Sequence, residues 1–112
     1  MPTFEFGDVV RAPFPYTDRD TRQYRPALVV ASGLGADRRL AWVVMITSAD
    51  NRRWPDDIDV GPRHLDCGLP APSLIRTAKI ATVEANRIER VGSASPGVLR
   101  QVRSTLAARF AV

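Results

Sequence analysis

The sequence predicts a small, mainly β fold, a barrel or sandwich, finished by one C-terminal α-helix. Three observations carry this. Short apolar runs rich in valine and isoleucine recur along the 112 residues, parted by Gly, Pro, Asn and Asp. Only the stretch from Ser95 onward sets apolar residues at helical spacing. No repeat, low-complexity tract or linker divides the chain, so a single domain over residues 1–112 with one modest core is expected.

The elements follow in order. Gly7-Asp8 turns the chain into a strand at Val9-Val10-Arg11-Ala12, and Pro13 and Pro15, which lack an amide donor, are expected to stop its pairing. Residues 16–24 hold Asp18, Arg19, Asp20 and Arg22 and read as an exposed loop. Arg25-Pro26 then opens a continuous apolar run to Ala31, a buried strand. Gly33 and Gly35 mark a connection, and residues 40–47 form a second buried strand that ends in Ile46-Thr47-Ser48. Residues 50–55 are polar, Ile58-Asp59-Val60 alternates like an edge strand, and residues 61–72 are broken by Pro62, Gly68, Pro70 and Pro72. Strands are expected at residues 73–80 and 88–91. Ser95 caps a helix whose first position is Pro96, and Val98, Leu99, Val102, Leu106 and Phe110 fall toward one side of it.

Composition narrows the function classes. At 45% hydrophobic residues the chain can build a core, which excludes wholesale disorder. The longest clean apolar run, residues 40–46, is far too short to cross a bilayer. The first residues carry neither a basic patch nor a hydrophobic signal core, so a cytoplasmic location is expected, with no membrane partner. Cys67 stands alone, which rules out an internal disulfide or a cysteine zinc site, and no His/Asp/Glu spacing suggests a metal; no cofactor is expected. Net charge is +4, and every basic residue but Lys79 is arginine, a balance that favours an acidic partner such as nucleic acid.

The residues that carry chemistry lie at the ends of the two buried strands. Arg25 places a permanent cation at the start of one, and Thr47 and Ser48 place adjacent hydroxyls at the end of the other. If the strands are neighbours, the groups converge on one anion. A phosphate fits, because guanidinium is a flat fork of donors that matches two phosphate oxygens. Arg76 and Lys79 offer cations for neighbouring phosphates. Arg19 and Tyr24 in one polar loop, and Trp54 beside Arg52 and Arg53 in another, suit the stacking of unpaired bases. For a proton acceptor the choice is poor. Guanidinium is a weak base, His64 sits in a proline-flanked irregular segment, and Asp18 and Asp20 are loop carboxylates.

Gly7-Asp8-Val9-Val10, Pro13-Phe14-Pro15, Arg25-Pro26-Ala27-Leu28-Val29-Val30 and Ile46-Thr47-Ser48 form an ordered series. Gly68-Leu69, Ser73-Leu74-Ile75-Arg76 and Lys79-Ile80-Ala81-Thr82 continue it. In order, spacing and chain length the series resembles the MazF/PemK family of toxins from bacterial toxin–antitoxin pairs. The resemblance implies an SH3-like barrel of the MazF/PemK/CcdB type, a homodimer, and metal-independent cleavage of single-stranded RNA to 2′,3′-cyclic phosphate and 5′-hydroxyl ends. It implies catalytic roles for Arg25 and Thr47 and an antitoxin partner with an acidic, disordered tail. Some members carry an aspartate two residues after the arginine of the later strand; Ala78 stands there in this chain. Two alternative functions stay open for this chain: a CcdB-like gyrase poison, which shares the fold by family analogy and acts through a protein interface, and a nucleic-acid-binding barrel without catalysis.

Overall fold

The computed structural model describes residues 3–15 and 22–111. Six strands form one antiparallel sheet, and one helix follows them. The strands are β1 (Asp8–Pro15), β2 (Arg22–Leu34), β3 (Leu40–Ser48), β4 (Asp57–Asp59), β5 (Ser73–Glu84) and β6 (Glu89–Ser93), and α1 spans Pro96–Phe110. Their order across the sheet is β4-β5-β3-β2-β1-β6. The mainly β fold with a C-terminal helix is therefore as the sequence predicts. The sheet curls without closing: no ladder joins β4 to β6 among the described residues.

The curl is forced by a short link. β5 and β6 are joined through a 3-10 turn at Ala85–Arg87, a few residues that rise about 2 Å each. Yet β5 pairs with β3 and β6 pairs with β1, on opposite sides of β2. In a flat sheet those positions would lie about 19 Å apart, at roughly 4.8 Å per strand. Only a rolled sheet lets so short a link reach. The roll encloses one apolar cluster, in which Val83, Ala85 and Ile88 meet Val10, Ala12, Phe14, Ala27, Val29 and Val43. The outer face is covered by α1. Val98, Val102 and Leu106 pack there with Val9, Leu28, Val44, Ile46, Ile58 and Ile75. β2 and β3 are thus buried on both faces, which is why their sequences read as unbroken apolar runs rather than alternating ones.

Four expectations need correction. Pairing of β1 does not stop at Pro13; Pro13, Phe14 and Pro15 stay in register with Tyr24, Gln23 and Arg22. β6 covers β1 only as far as Arg11. The alternate prolines can turn their donorless nitrogens to that uncovered edge while residues between them serve the β2 ladder. Tyr24 consequently lies in β2, not in the loop before it, and residues 16–21 fall outside the described set. β2 itself runs on through the expected connection as far as Leu34. β5 continues beyond residue 80 to Glu84, because a bulge absorbs residues 77–79: its partners on β3 jump from Arg76 opposite Met45 to Ile80 opposite Val44.

Between β4 and β5 the irregular segment makes a 3-10 turn at His64–Cys67 and lies directly on β6. A Cβ on Gly92 would come 2.1 Å from the Cys67 carbonyl oxygen, and one on Gly68 would come 2.2 Å from the Val91 carbonyl oxygen. Only two glycines allow backbones to meet this closely. Gly68 also takes the left-handed conformation (φ 84°) that ends the turn.

Candidate functional site

The register of β2 on β3 decides what faces what. Ala27 lies opposite Met45. Carrying the same antiparallel register two residues outward (27 − 2, 45 + 2) sets Arg25 against Thr47. Arg25 is still paired with β1 but lies beyond the last β2–β3 pair, and Thr47 is the penultimate residue of β3. Arg25, Pro26, Ile46, Thr47, Ser48, Asn51, Leu69, Pro70, Ala71 and Ser73 line one open cavity of about 280 Å³. The sequence-predicted cation and hydroxyls therefore share a wall. Arg25 is half-buried, Thr47 is buried to 8% exposure, and Ser48 is exposed.

Asn51, which the sequence did not single out, completes this wall. Its amide Nδ2 donates to Thr47 Oγ1 at 2.6 Å. One lone pair of the Thr47 hydroxyl is thereby occupied, and the hydroxyl keeps its proton to donate elsewhere. The turn that brings Asn51 back is locally held. The Asp50 amide donates to Ser48 Oγ at 3.1 Å, and the Asn51 amide donates to the Ser48 carbonyl at 3.1 Å. The polar string Ser48, Asp50, Asn51 was the available signal, since short polar side chains bond backbone in turns.

Arg76 sits in different surroundings. It lies opposite Asp57 on the β4–β5 ladder and forms a buried ion pair with it, Nη2 to Oδ2 at 3.0 Å, with side chains 9% and 1% exposed. The same Nη2 donates to the Arg52 carbonyl at 2.6 Å. The Trp54 ring lies 4.0 Å from the guanidinium carbon, a cation–π stack, and Lys79 Nζ is 6.0 Å from that ring. Asp57 also accepts from the Trp54 amide at 2.8 Å. The β5 bulge is fixed beside it: Thr77 Oγ1 donates to the Asp56 carbonyl, and Arg109 of α1 donates to the Thr77 carbonyl and pairs with Asp56.

Arg76, Lys79 and Trp54 thus form a second cluster, and none of them lines the cavity of Arg25 and Thr47. Tyr24 is half-exposed on β2 and does not line it either. Arg19, Asp18 and Asp20 lie outside the described residues. His64 is half-buried on its 3-10 turn, away from the cavity lining, and Ala78 is exposed on the bulge. Among the described residues no group of three or more His, Cys, Asp or Glu side chains could hold a metal ion, and no helix is long and apolar enough to cross a membrane.

Comparison with known proteins gives the family. A model of the PemK-like, MazF-like toxins of type II toxin–antitoxin systems matches residues 5–110. No curated protein matches the chain. Among solved structures, MazF from Deinococcus radiodurans is similar with a TM-score of 0.72 and 21% identity, over 98% of each chain. A MazE–MazF complex from the same organism matches with a TM-score of 0.68 and 21% identity, over 100% of this chain and 99% of that one. An endoribonuclease in complex with its cognate antitoxin, from a mycobacterial species, matches with a TM-score of 0.68 and 19% identity, over 95% and 93%. At these identities the likeness speaks for the fold.

Proposed function

The chain belongs to the PemK-like, MazF-like toxins of type II toxin–antitoxin systems, and from that premise we propose that it is an endoribonuclease acting on single-stranded RNA at the cavity of Arg25 and Thr47. The observation that carries this is their convergence, with Ser48 and Asn51, on one open wall. An RNA phosphate seated there meets a guanidinium and a hydroxyl donor at once.

The chemistry needs no group beyond the RNA itself as nucleophile. The ribose 2′-oxygen attacks the adjacent phosphorus, the bond from phosphorus to the 5′-oxygen breaks, and a 2′,3′-cyclic phosphate and a 5′-hydroxyl remain. The 2′-oxygen loses a proton and the departing 5′-oxygen gains one. In the transition state negative charge grows on the phosphorane oxygens. Arg25 stabilises that charge, and Thr47, oriented by Asn51, donates its hydroxyl proton as a hydrogen bond to the same oxygens. Holding the 2′-oxygen in line with the leaving oxygen adds to this. Arg25 also stands as proton donor to the leaving oxygen. No carboxylate or imidazole belongs to the described cavity wall, so no general base is assigned. Of the structural relatives, one is a MazE–MazF complex and another an endoribonuclease in complex with its cognate antitoxin. By analogy this chain takes an antitoxin whose acidic tail covers the same basic wall, and it works as a homodimer.

The test is incubation of the pure, antitoxin-free protein with mixed single-stranded RNA in EDTA, followed by end analysis. Cyclic phosphate ends from the wild type, and their loss in Arg25→Ala, are expected. Intact RNA from a folded preparation would overturn the reading. Cleavage undiminished in Arg25→Ala would overturn the site.

A further inference from the structure

We propose that Arg76 and Asp57 are positioning residues that act through Asn51 on the Thr47 hydroxyl, rather than contacts for RNA phosphates. The proposal rests on the ribonuclease reading. The geometry is a short relay. Arg76 Nη2 holds the Arg52 carbonyl at 2.6 Å, and Arg52 directly follows Asn51, whose amide holds Thr47 Oγ1 at 2.6 Å. Asp57 holds the other end of the same loop. Its carboxylate takes the Trp54 amide at 2.8 Å and its carbonyl takes Arg53 Nη2 at 3.0 Å. Loop residues 51–54 are therefore pinned between β3 on one side and the Asp57–Arg76 pair on the other.

An arginine meant to grip phosphate would present its fork outward. Arg76 presents Nε and Nη2 to Asp57 and the Arg52 carbonyl, beneath the Trp54 ring, with 9% of its side chain exposed. Drawing it out to an RNA strand would leave the Asp57 carboxylate, 1% exposed, without its cation. The loop itself has little apolar anchorage, since residues 49–56 are all exposed. Its seat depends on these polar ties, so breaking the pair lets Asn51 drift and leaves the Thr47 hydroxyl free to rotate away from the phosphorane.

Either account has Arg76→Gln lose activity, so lost cleavage in that variant does not separate the two; Asp57 does. Asp57→Asn keeps the side-chain shape and leaves Arg76 charged and more available. If Arg76 served RNA, this change would leave cleavage intact or tighten binding. As a positioning change it lowers kcat with little effect on KM. A double-mutant cycle decides whether the effect runs through Asn51. We expect Asn51→Ala and Asp57→Asn each to lower kcat by about tenfold, and the double variant to stay near tenfold rather than reach about a hundredfold. The substrate is a random pool of single-stranded RNA, then an oligonucleotide of a sequence cleaved within it.

Two further readouts keep the test decisive. If Arg76 gripped a phosphate, Arg76→Gln would reduce the slope of log affinity against log salt by about 1, whereas a positioning residue leaves that slope unchanged. In a Trp42→Phe background Trp54 is the only tryptophan, and its emission shifts to the red in Asp57→Asn once the loop lifts. Should Arg76→Gln fail to fold, Asp57→Asn and the cycle stand without it. An additive cycle, wild-type kcat in Asp57→Asn, or a smaller salt slope in Arg76→Gln would each overturn the proposal while leaving the ribonuclease reading in place. Uncut RNA from the wild type would overturn both.

Discussion

Arg25 and Arg76 are the same side chain set in opposite surroundings. Arg25 stands on β2 beyond its last partner on β3, half-buried, on the wall of an open cavity that also holds Thr47 and Ser48. Arg76 lies on β5 between β3 and β4, roofed by Trp54 and paired with a carboxylate that water barely reaches. The difference teaches that a cation's sequence context does not fix its surroundings. What fixes them is whether the fold buries the cation beneath a ring or sets it on a wall that solvent and ligands can reach.

The largest effect expected is on folding. Arg76→Ala leaves Asp57 buried without its cation, and the loss of stability should be about 3–5 kcal/mol by urea denaturation. Arg25→Ala should lower the same midpoint far less; a loss as large as that of Arg76→Ala would erase the contrast. The order reverses for catalysis. Arg25→Ala should lower kcat by about 10²–10³-fold with secondary structure intact by circular dichroism. A variant that keeps a tenth of wild-type kcat would show that charge stabilisation lies elsewhere. The smallest effect belongs to the lid. Trp54→Ala removes the stack on Arg76 and should cost about 1 kcal/mol of stability. Unchanged stability there would mean that the Asp57 pair alone holds Arg76 in place.

The sequence made one of these regions legible and hid the other. The Arg25–Thr47 wall was readable because both residues end apolar runs, and neighbouring buried strands bring their ends together. The helix was readable from Ser95, whose Oγ accepts the Val98 amide, and from the apolar spacing of Val98, Val102 and Leu106. The Asp57–Arg76 pair was not, because its partners stand 19 residues apart and each looks locally like a polar strand or loop residue. The bulge at residues 77–79 was hidden for a related reason. Its extra residues are held by Asp56 and Arg109, which no local pattern ties to β5. Proline misled at Pro13 and Pro15, because the rule against proline in strands applies only where both edges are paired.

The short link that rolls the sheet has a kinetic consequence. It makes β1 pair with β6, Asp8 with Ser93, so the last seam joins nearly opposite ends of the described chain. Contacts so remote in sequence carry a large loop-closure cost before they are repaid, which puts folding in the slow range of about milliseconds to seconds. That seam should zip up after the rate-limiting barrier. Gly92→Ala, which pushes a methyl group into the Cys67 carbonyl, is then expected to accelerate unfolding and leave the refolding rate nearly untouched. Stopped-flow chevrons would read this directly, and slowed refolding in that variant would mean that the seam nucleates the fold.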